Sequence, residues 1–138
     1  MAISVRVLPE WGLVYIRYAG RMSLDESNRA FAEYVVHPDF RPCQKQLVDL
    51  REVTDWDRDF GKLMALQAKK AEAFVDPSCS TIVAAIAPTE TTRKVANLVG
   101  HSWDGIDSVA YLVAETEAHA LDLLGLAAES LSELLDAR

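Results

Sequence analysis

Apolar and polar residues alternate at the start of the chain. Every second position of residues 3–7 is apolar, and this period of two predicts a half-buried strand. Pro9 and Gly12 mark a turn, after which residues 13–18 form a second strand-like run. The short connection predicts that the two strands pair as an antiparallel hairpin.

Helical and strand-like patterns alternate along the rest of the chain. Ser23 and Glu26 have the spacing of a capping box, which predicts a helix that ends before Pro38. Amphipathic patterns predict further helices from Asp57 or Asp59 to about residue 74, and over residues 90–99, 117–124 and 127–135. Strands are predicted over residues 46–50, 81–87 and 108–113.

This order of elements predicts an α/β fold. Strands that alternate with helices of this length are joined by right-handed crossovers in a mostly parallel sheet. We expect a mixed, mostly parallel five-stranded sheet with an antiparallel N-terminal hairpin strand and four to five helices. No linker or repeat interrupts the pattern, so residues 1–138 are predicted to form a single domain.

The chain of 138 residues is acidic, with a formal net charge of −7 and a pI near 4.9. Such a chain is a poor partner for a polyanion, so we expect no nucleic-acid binding. The longest apolar run, residues 82–87, is too short to span a bilayer. The N-terminus lacks a hydrophobic signal region, and the predicted location is the cytoplasm.

Cysteine and histidine usage gives no sign of a metal site. Cys43 and Cys79 are far apart and form no CxxC pair, and His37, His101 and His119 are isolated from one another. We therefore expect no metal and no cofactor. The preferred interpretation of the cysteines is two reduced thiols in or beside the core, with a disulfide as the alternative.

Candidate catalytic groups are few and poorly grouped. Residues 101–104 read His-Ser-Trp-Asp, but adjacent residues rarely converge as a catalytic triad requires. Asp49, with Glu52 and Asp55 nearby, offers an acid/base pair in which the pKa of a buried carboxyl would be raised. A hydrogen bond from Asp49 to a strand-end loop is the alternative. The chain lacks the common nucleotide, zinc and nucleophile motifs, and we predict that it is not an enzyme.

The most unusual segment is Thr-Asp-Trp-Asp-Arg-Asp-Phe-Gly at residues 54–61. It joins the C-terminal end of a predicted parallel strand to a helix, at the sheet edge where ligands and partners bind in α/β proteins. Its three carboxylates beside Trp56 suit an interaction surface. Alternatively, Asp57 or Asp59 caps the helix and Trp56 packs on a neighbouring helix.

Three segments carry a resemblance to a known family. They are residues 12–23, which begin Gly-Leu-Val-Tyr-Ile-Arg-Tyr, residues 37–42, His-Pro-Asp-Phe-Arg-Pro, and residues 47–54, Leu-Val-Asp-Leu-Arg-Glu-Val-Thr. With them, residues 5–126 resemble the SpoIIAA-like, or STAS-like, group of bacterial proteins. The resemblance implies a bacterial, cytoplasmic α/β domain similar to anti-sigma factor antagonists, which bind a partner kinase and are switched by phosphorylation.

The phosphorylation site of those antagonists has no counterpart here. In the family, a Ser or Thr stands just before a glycine at the start of the helix after the third strand. The matching residues are 57–61. Phe60 stands before Gly61, Asp59 stands before Phe60, and none of the five residues carries a hydroxyl. A phosphorylation switch of the usual type is therefore not expected, although Asp59 could imitate a permanently charged state.

We therefore expect a noncatalytic regulatory domain that binds a protein partner, as a homodimer. The predicted partner surface consists of Asp55, Trp56, Asp57, Asp59, Phe60, Thr89 and Thr91. The alternative is a carrier or sensor for a small apolar ligand or lipid, because the same fold resembles lipid-carrying domains. Its predicted pocket is lined by Phe60, Met64 and Trp103.

Overall fold

A computed structural model of the chain describes residues 3–74, 79–103, 109–127 and 131–136. In these residues one sheet is covered by helices on both faces. Its strands are β1 (Ile3–Leu8), β2 (Leu13–Met22), β3 (Lys45–Trp56), β4 (Thr81–Ile86) and β5 (Val109–Ala114). The α-helices are α1 (Leu24–Val35), α2 (Phe60–Phe74), α3 (Glu90–His101), α4 (Glu117–Leu123) and α5 (Leu131–Asp136).

The strands lie side by side in chain order, β1-β2-β3-β4-β5. β1 and β2 are antiparallel, whereas the pairs β2–β3, β3–β4 and β4–β5 are parallel. A short 3₁₀ turn, Pro9–Trp11, is closed by Gly12, whose φ of 61° suits a residue without a Cβ. The predicted mixed, mostly parallel α/β sheet with an antiparallel N-terminal strand is confirmed.

β2 and β3 are longer than the sequence predicts. Their parallel pairing continues to Met22 opposite Trp56, through two irregularities of register. Residues 54–56, predicted to be loop, therefore belong to the end of β3. The apolar pattern misses this extension because charged residues, Arg51, Glu52 and Asp55, interrupt it, while backbone pairing with β2 holds the chain extended.

The two faces of the sheet pack against different helices. On one face, strand residues such as Leu50 and Ala85 pack against α3, while α2 packs against α1 through Leu24, Leu63 and Leu66. The other face is covered by α4, its C-cap residue Leu124 and α5, and the buried leucines there are Leu121, Leu124, Leu131 and Leu134. No helix in the described ranges is long and apolar enough to cross a membrane.

Three helices begin with a side chain that caps their first turn. Ser23 Oγ accepts a hydrogen bond from the Glu26 amide at 3.3 Å, which is one half of the predicted capping box. Thr89 and Thr92 form a reciprocal capping box at α3. Thr116 Oγ1 accepts from the amide of His119 at 3.1 Å and so caps α4.

The expectation of reduced thiols is wrong in this structure. Cys43 and Cys79 form a disulfide with their Cα atoms 6.3 Å apart, and Cys79 is exposed. The register places Gln46 opposite Val83, so the residues just before β3 and β4 meet at one edge of the sheet. Parallel pairing of neighbouring strands therefore brings together two cysteines that are 36 positions apart.

Candidate functional site

The predicted acidic segment lies at the C-terminal end of β3 and carries a cation–π contact. The guanidinium carbon of Arg58 is 4.2 Å from the centroid of the half-buried Trp56 ring. Arg58 Nη1 also donates to Asp55 Oδ1 at 3.0 Å. Hydrogen bonds from the Trp56 backbone and from Arg58 lower the pKa of the Asp55 carboxyl. Arg58 is not among the residues predicted for this surface, although its spacing of three residues from Asp55 is a signal of an ion pair.

Two carboxylates of this segment shape the turn into α2. Asp57 Oδ1 accepts from the amide of Asp59 at 3.0 Å, and Asp59 Oδ1 accepts from the amide of Lys62 at 3.0 Å. Asp59 therefore caps the helix, as the alternative interpretation held. Its side chain stays exposed, so capping and contact with a partner are compatible.

The predicted surface residues come from two elements, the end of β3 and the start of α3. The last β3–β4 pair is Asp49 opposite Ile86, and β3 runs on to Trp56 while β4 ends. Thr89 is occupied as the α3 cap, and Thr91 is exposed. The side chain of Phe60 lies outside the part that the structure describes.

A second polar cluster surrounds Asp49, which is 4% exposed. Asp49 accepts hydrogen bonds from Tyr15 Oη at 2.7 Å and from the Arg51 guanidinium at 2.8 and 3.0 Å. Arg51 also donates to Glu117 Oε1 at 2.6 Å. Glu117 Oε2 in turn accepts from the amide of Leu131 at 3.2 Å. The cluster thus ties the sheet to α4 and to the start of α5.

The prediction of a raised pKa for Asp49 is wrong. Burial by itself raises the pKa, but the hydrogen bonds from Arg51 and Tyr15 outweigh it and lower the pKa. The three acids considered for acid/base chemistry do not share a site. Glu52 pairs with Arg17, and Asp55 pairs with Arg58. The arrangement gives Asp49 a structural role as an ionised hydrogen-bond acceptor.

The His-Ser-Trp-Asp run does not assemble a triad in the described residues. His101 is exposed, whereas Ser102 and Trp103 are buried. The Ser102 hydroxyl accepts from Gln67 Nε2 at 2.8 Å and donates to the carbonyl of Val99. Residue 104 lies outside the described ranges. Among the residues that are described, no group of three or more His, Cys, Asp or Glu is placed to hold a metal.

A cavity lies between α2 and the sheet. Its volume is about 40 Å³, which is room for roughly three water molecules. Its walls combine apolar residues with a few polar ones, and they include Ile16, Tyr18, Gln46, Val48, Leu66, Gln67, Lys70, Val83, Val99, Trp103 and Tyr111. A lipid acyl chain would need α2 to move away from the sheet.

The two described side chains of the predicted apolar pocket, Trp103 and Met64, lie in different surroundings. Trp103 lines the cavity, but Met64 is 40% exposed and does not contribute to the wall. Residues 63, 66, 67 and 70 share the inward face of α2 at helical spacing. Met64 follows Leu63 by one position and is rotated by about 100° away from that face.

Lys70 is the one cation in the described wall of the cavity. Burial lowers the pKa of its ammonium group to about 8. Desolvation is the cause of the lowered pKa, and no carboxylate of the described residues opposes it. Lys70 is half-buried, and an ammonium group desolvated in a cavity is a candidate functional group.

We predict that Lys70→Met raises the free energy of unfolding at pH 7 by about 1–3 kcal/mol, because the variant keeps the chain length and removes the desolvated charge. The wild-type protein should also gain stability from pH 8 to 10.5, because the unfolded state binds more protons than the folded state in that window. Urea unfolding measures both effects.

Lys69→Met, at an exposed neighbour, is the control and should change stability by less than about 0.5 kcal/mol. A loss of stability in Lys70→Met would contradict the prediction.

Solved structures similar to this chain have the SpoIIAA fold. The unphosphorylated form of the anti-sigma factor antagonist SpoIIAA matches with a TM-score of 0.52 and 14% identity, over 90% of this chain and 98% of that chain. The phosphorylated form of the Bacillus cell fate determinant SpoIIAA matches with a TM-score of 0.51 and 16% identity, over 89% and 99%. No protein-family model and no curated protein matches the sequence. The predicted SpoIIAA-like, or STAS-like, fold is confirmed by these structures.

Proposed function

We propose that this SpoIIAA-like domain is a noncatalytic regulatory module that binds a protein partner through the β3-end surface. This surface consists of Asp55, Trp56, Asp57, Arg58 and Asp59, together with Phe60. The observation that carries the proposal is the exposed Arg58 guanidinium stacked over Trp56 and fixed by Asp55. Tryptophan and arginine dominate the binding energy of protein interfaces.

The preorganised side chains of the β3-end surface support this assignment. Arg58 is held by the Asp55 carboxylate and by the carbonyl of Trp56 at 3.2 Å, so little side-chain entropy is lost when a partner binds. Trp56 is anchored on one side by packing against the core. The exposed carboxylate of Asp59 adds negative charge, which favours a partner with a basic contact surface.

The name anti-sigma factor antagonist belongs to the solved SpoIIAA proteins. We propose a related regulatory role for this chain with one difference, namely that binding at the start of α2 is constitutive. Residues 57–61 contain no serine or threonine, and Asp59 supplies a permanent charge there. Thr89 and Thr91, which the sequence assigned to the same surface, are proposed as a secondary contact at the start of α3.

The experiment is quantitative affinity capture from extracts of the host bacterium, followed by a binding assay with the captured protein. We predict that Trp56→Ala and Arg58→Ala each weaken binding at least tenfold, since truncation of such residues costs about 2 kcal/mol. Asp59→Asn keeps the helix cap and removes the charge, so it isolates the electrostatic contribution. Phosphatase treatment of the wild-type protein should leave binding unchanged.

Arg29→Ala is the matched control, because Arg29 is an exposed arginine on α1 that does not belong to the β3-end surface. It should retain the wild-type affinity. Equal binding by Trp56→Ala, Arg58→Ala and Arg29→Ala would remove the β3-end surface from the proposal. Thermal unfolding of each variant separates a lost contact from a lost fold.

The homodimer and the cytoplasmic location stay predictions. Sedimentation of the purified protein tests the first, with a mass of twice 15.3 kDa expected. The disulfide between Cys43 and Cys79 bears on the second, because such bonds are typical of oxidising compartments. Carriage of a larger apolar ligand or lipid is likewise untested, and the small cavity does not favour it.

A further inference from the structure

The disulfide between Cys43 and Cys79 includes the one residue other than glycine that has a positive φ in the described ranges. Cys43 has a φ of 64°. Residues with a Cβ rarely adopt this left-handed conformation, because the Cβ then crowds the following carbonyl oxygen. Such a conformation persists only where the surrounding structure holds it, and it is common in switch regions.

Cys43 occupies the third position of a tight turn. The amide of Gln44 donates to the carbonyl of Arg41 at 3.3 Å, which closes the turn over Pro42 and Cys43. Proline at the second position and a positive φ at the third are features of a type II turn, in which the third residue is normally glycine or asparagine. Cysteine at this position opposes the turn, and the bond to Cys79 is a restraint that favours it.

The turn organises the loop between α1 and β3 through Gln44, which is 6% exposed. Gln44 Oε1 accepts from the Tyr34 hydroxyl and from the amide of Arg41 at 3.3 Å, and Gln44 Nε2 donates to the carbonyl of Asp39 at 2.9 Å. The same loop forms one wall of a cleft of about 360 Å³, whose other wall belongs to the turn between β1 and β2. A change in the turn therefore alters both these hydrogen bonds and the cleft.

The disulfide also has the exposure of a reducible bond. Cys79 is exposed and Cys43 is half-buried. Disulfides that are strained or exposed are the labile and regulatory ones, whereas structural disulfides resist reduction by cellular thiols. The bond between Cys43 and Cys79 combines an exposed partner with a strained backbone.

We propose that the Cys43–Cys79 bond is a redox-sensitive switch that sets the conformation of the turn at residues 41–44. In the oxidised form the bond holds Cys43 at positive φ and keeps Gln44 on Asp39. In the reduced form Cys43 relaxes to negative φ, and Gln44 leaves Asp39. A reversible bond is compatible with the predicted cytoplasmic location, where thiols are kept reduced.

The switch operates by thiol–disulfide exchange with a dithiol. One thiolate of the dithiol attacks the sulfur of Cys79 and forms a mixed disulfide, and Cys43 leaves as a thiolate that takes up a proton. The second thiol of the reductant then attacks the mixed disulfide and releases Cys79 as a thiol. Two electrons pass to the protein, and the reductant leaves as a cyclic disulfide. Oxidised glutathione reverses the change and leaves as two molecules of the reduced tripeptide.

Dithiothreitol and oxidised glutathione are the probes, applied to the full chain under native conditions. Alkylation and mass spectrometry count the free thiols, and ¹⁵N–¹H spectra follow the backbone and the Gln44 side-chain amide. We expect dithiothreitol to free both thiols while the protein stays folded, with shifts concentrated in residues 37–45 and 79–83. The Gln44 amide protons should exchange about tenfold faster, because the hydrogen bond to Asp39 is lost. Oxidised glutathione should restore the first spectrum.

Two double variants separate the turn conformation from the bond itself. Cys43→Gly with Cys79→Ser removes the disulfide but places at the turn a residue for which a positive φ costs little. Its Gln44 signals should match those of the oxidised wild type. Cys43→Ser with Cys79→Ser removes the same disulfide and keeps a Cβ, so its Gln44 signals should match those of the reduced wild type.

Several results would overturn the proposal. One is a bond that survives dithiothreitol until the whole protein unfolds, which would mark it as a structural cross-link. Others are failure of oxidised glutathione to form the bond from free thiols, reduction that leaves the Gln44 signals unchanged, and identical Gln44 signals in the two double variants. None of these outcomes affects the partner-binding proposal, because the β3-end surface lies at the other end of β3.

Discussion

Asp49→Ala is expected to lower the free energy of unfolding by about 2–4 kcal/mol, because it removes the acceptor of a buried, charge-assisted hydrogen-bond cluster. Tyr15 Oη loses its partner at 2.7 Å, and within the described ranges the Arg51 guanidinium keeps only Glu117. Glu117 in turn holds the first amide of α5. The loss should therefore loosen α5 in hydrogen exchange before global unfolding.

The pH dependence of the same cluster has a defined sign. The folded-state pKa of Asp49 lies below the ordinary value of 3.8, so its stabilising contribution is complete above that pH. The contribution is lost as the pH falls through the folded-state pKa. The stability difference between the wild type and Asp49→Asn should accordingly shrink in acid, as urea unfolding at a series of pH values would show.

Glu52→Ala is the matched control for Asp49→Ala. Glu52 is an acidic residue of the same strand that pairs with Arg17 at the surface. Exposed pairs contribute about 0–1 kcal/mol, so this variant should stay close to the wild type. Equal effects of the two substitutions would mean that the Asp49 cluster adds no more stability than a surface ion pair.

Removal of the disulfide, by Cys43→Ser together with Cys79→Ser, is expected to lower the free energy of unfolding by about 3–4 kcal/mol. The bond closes a loop of 36 positions, and a loop of that size restricts the unfolded chain by this amount in the entropic account. Chemical unfolding with and without a reductant measures the effect in the wild-type protein. The folded structure should persist in the double variant, because Cys79 is exposed and its replacement leaves the core intact.

The double variant itself provides the control, since reductant should leave its unfolding midpoint unchanged. A wild-type midpoint that also fails to respond to reductant, with two free thiols by alkylation and mass spectrometry, would contradict the disulfide. That result would restore the reduced thiols that the sequence favoured. It would also support the cytoplasmic location.

The hydrophobic pattern was sufficient to predict the α/β sheet. The apolar run at residues 81–87 becomes a central strand, β4, with partners on both sides, and the alternation at residues 3–7 becomes the antiparallel edge strand β1. These features depend on which residues are buried, and the spacing of apolar residues along the chain indicates this directly. The distal half of β3 could not be predicted in the same way, because its charged residues are held in the sheet by pairing with β2.

The candidate sites depend on contacts between residues that are distant in sequence. The acidic segment was recognised because its residues are contiguous, and even there the role of Arg58 depended on its placement over Trp56. The cavity joins Gln46 of β3 to Gln67 and Lys70 of α2, and no local motif connects them. Met64 belongs to the apolar stripe that the sequence shows along α2, but it lies at the margin of that stripe and is 40% exposed.

The central claim is that a protein partner binds the β3-end surface, and hydrogen–deuterium exchange of the captured complex tests it most directly. The account predicts that backbone amides of residues 55–62 are protected by the partner, with little change at the opposite edge around Pro9 and Gly12. Protection confined to other elements, with residues 55–62 exchanging as in the free protein, would contradict the claim.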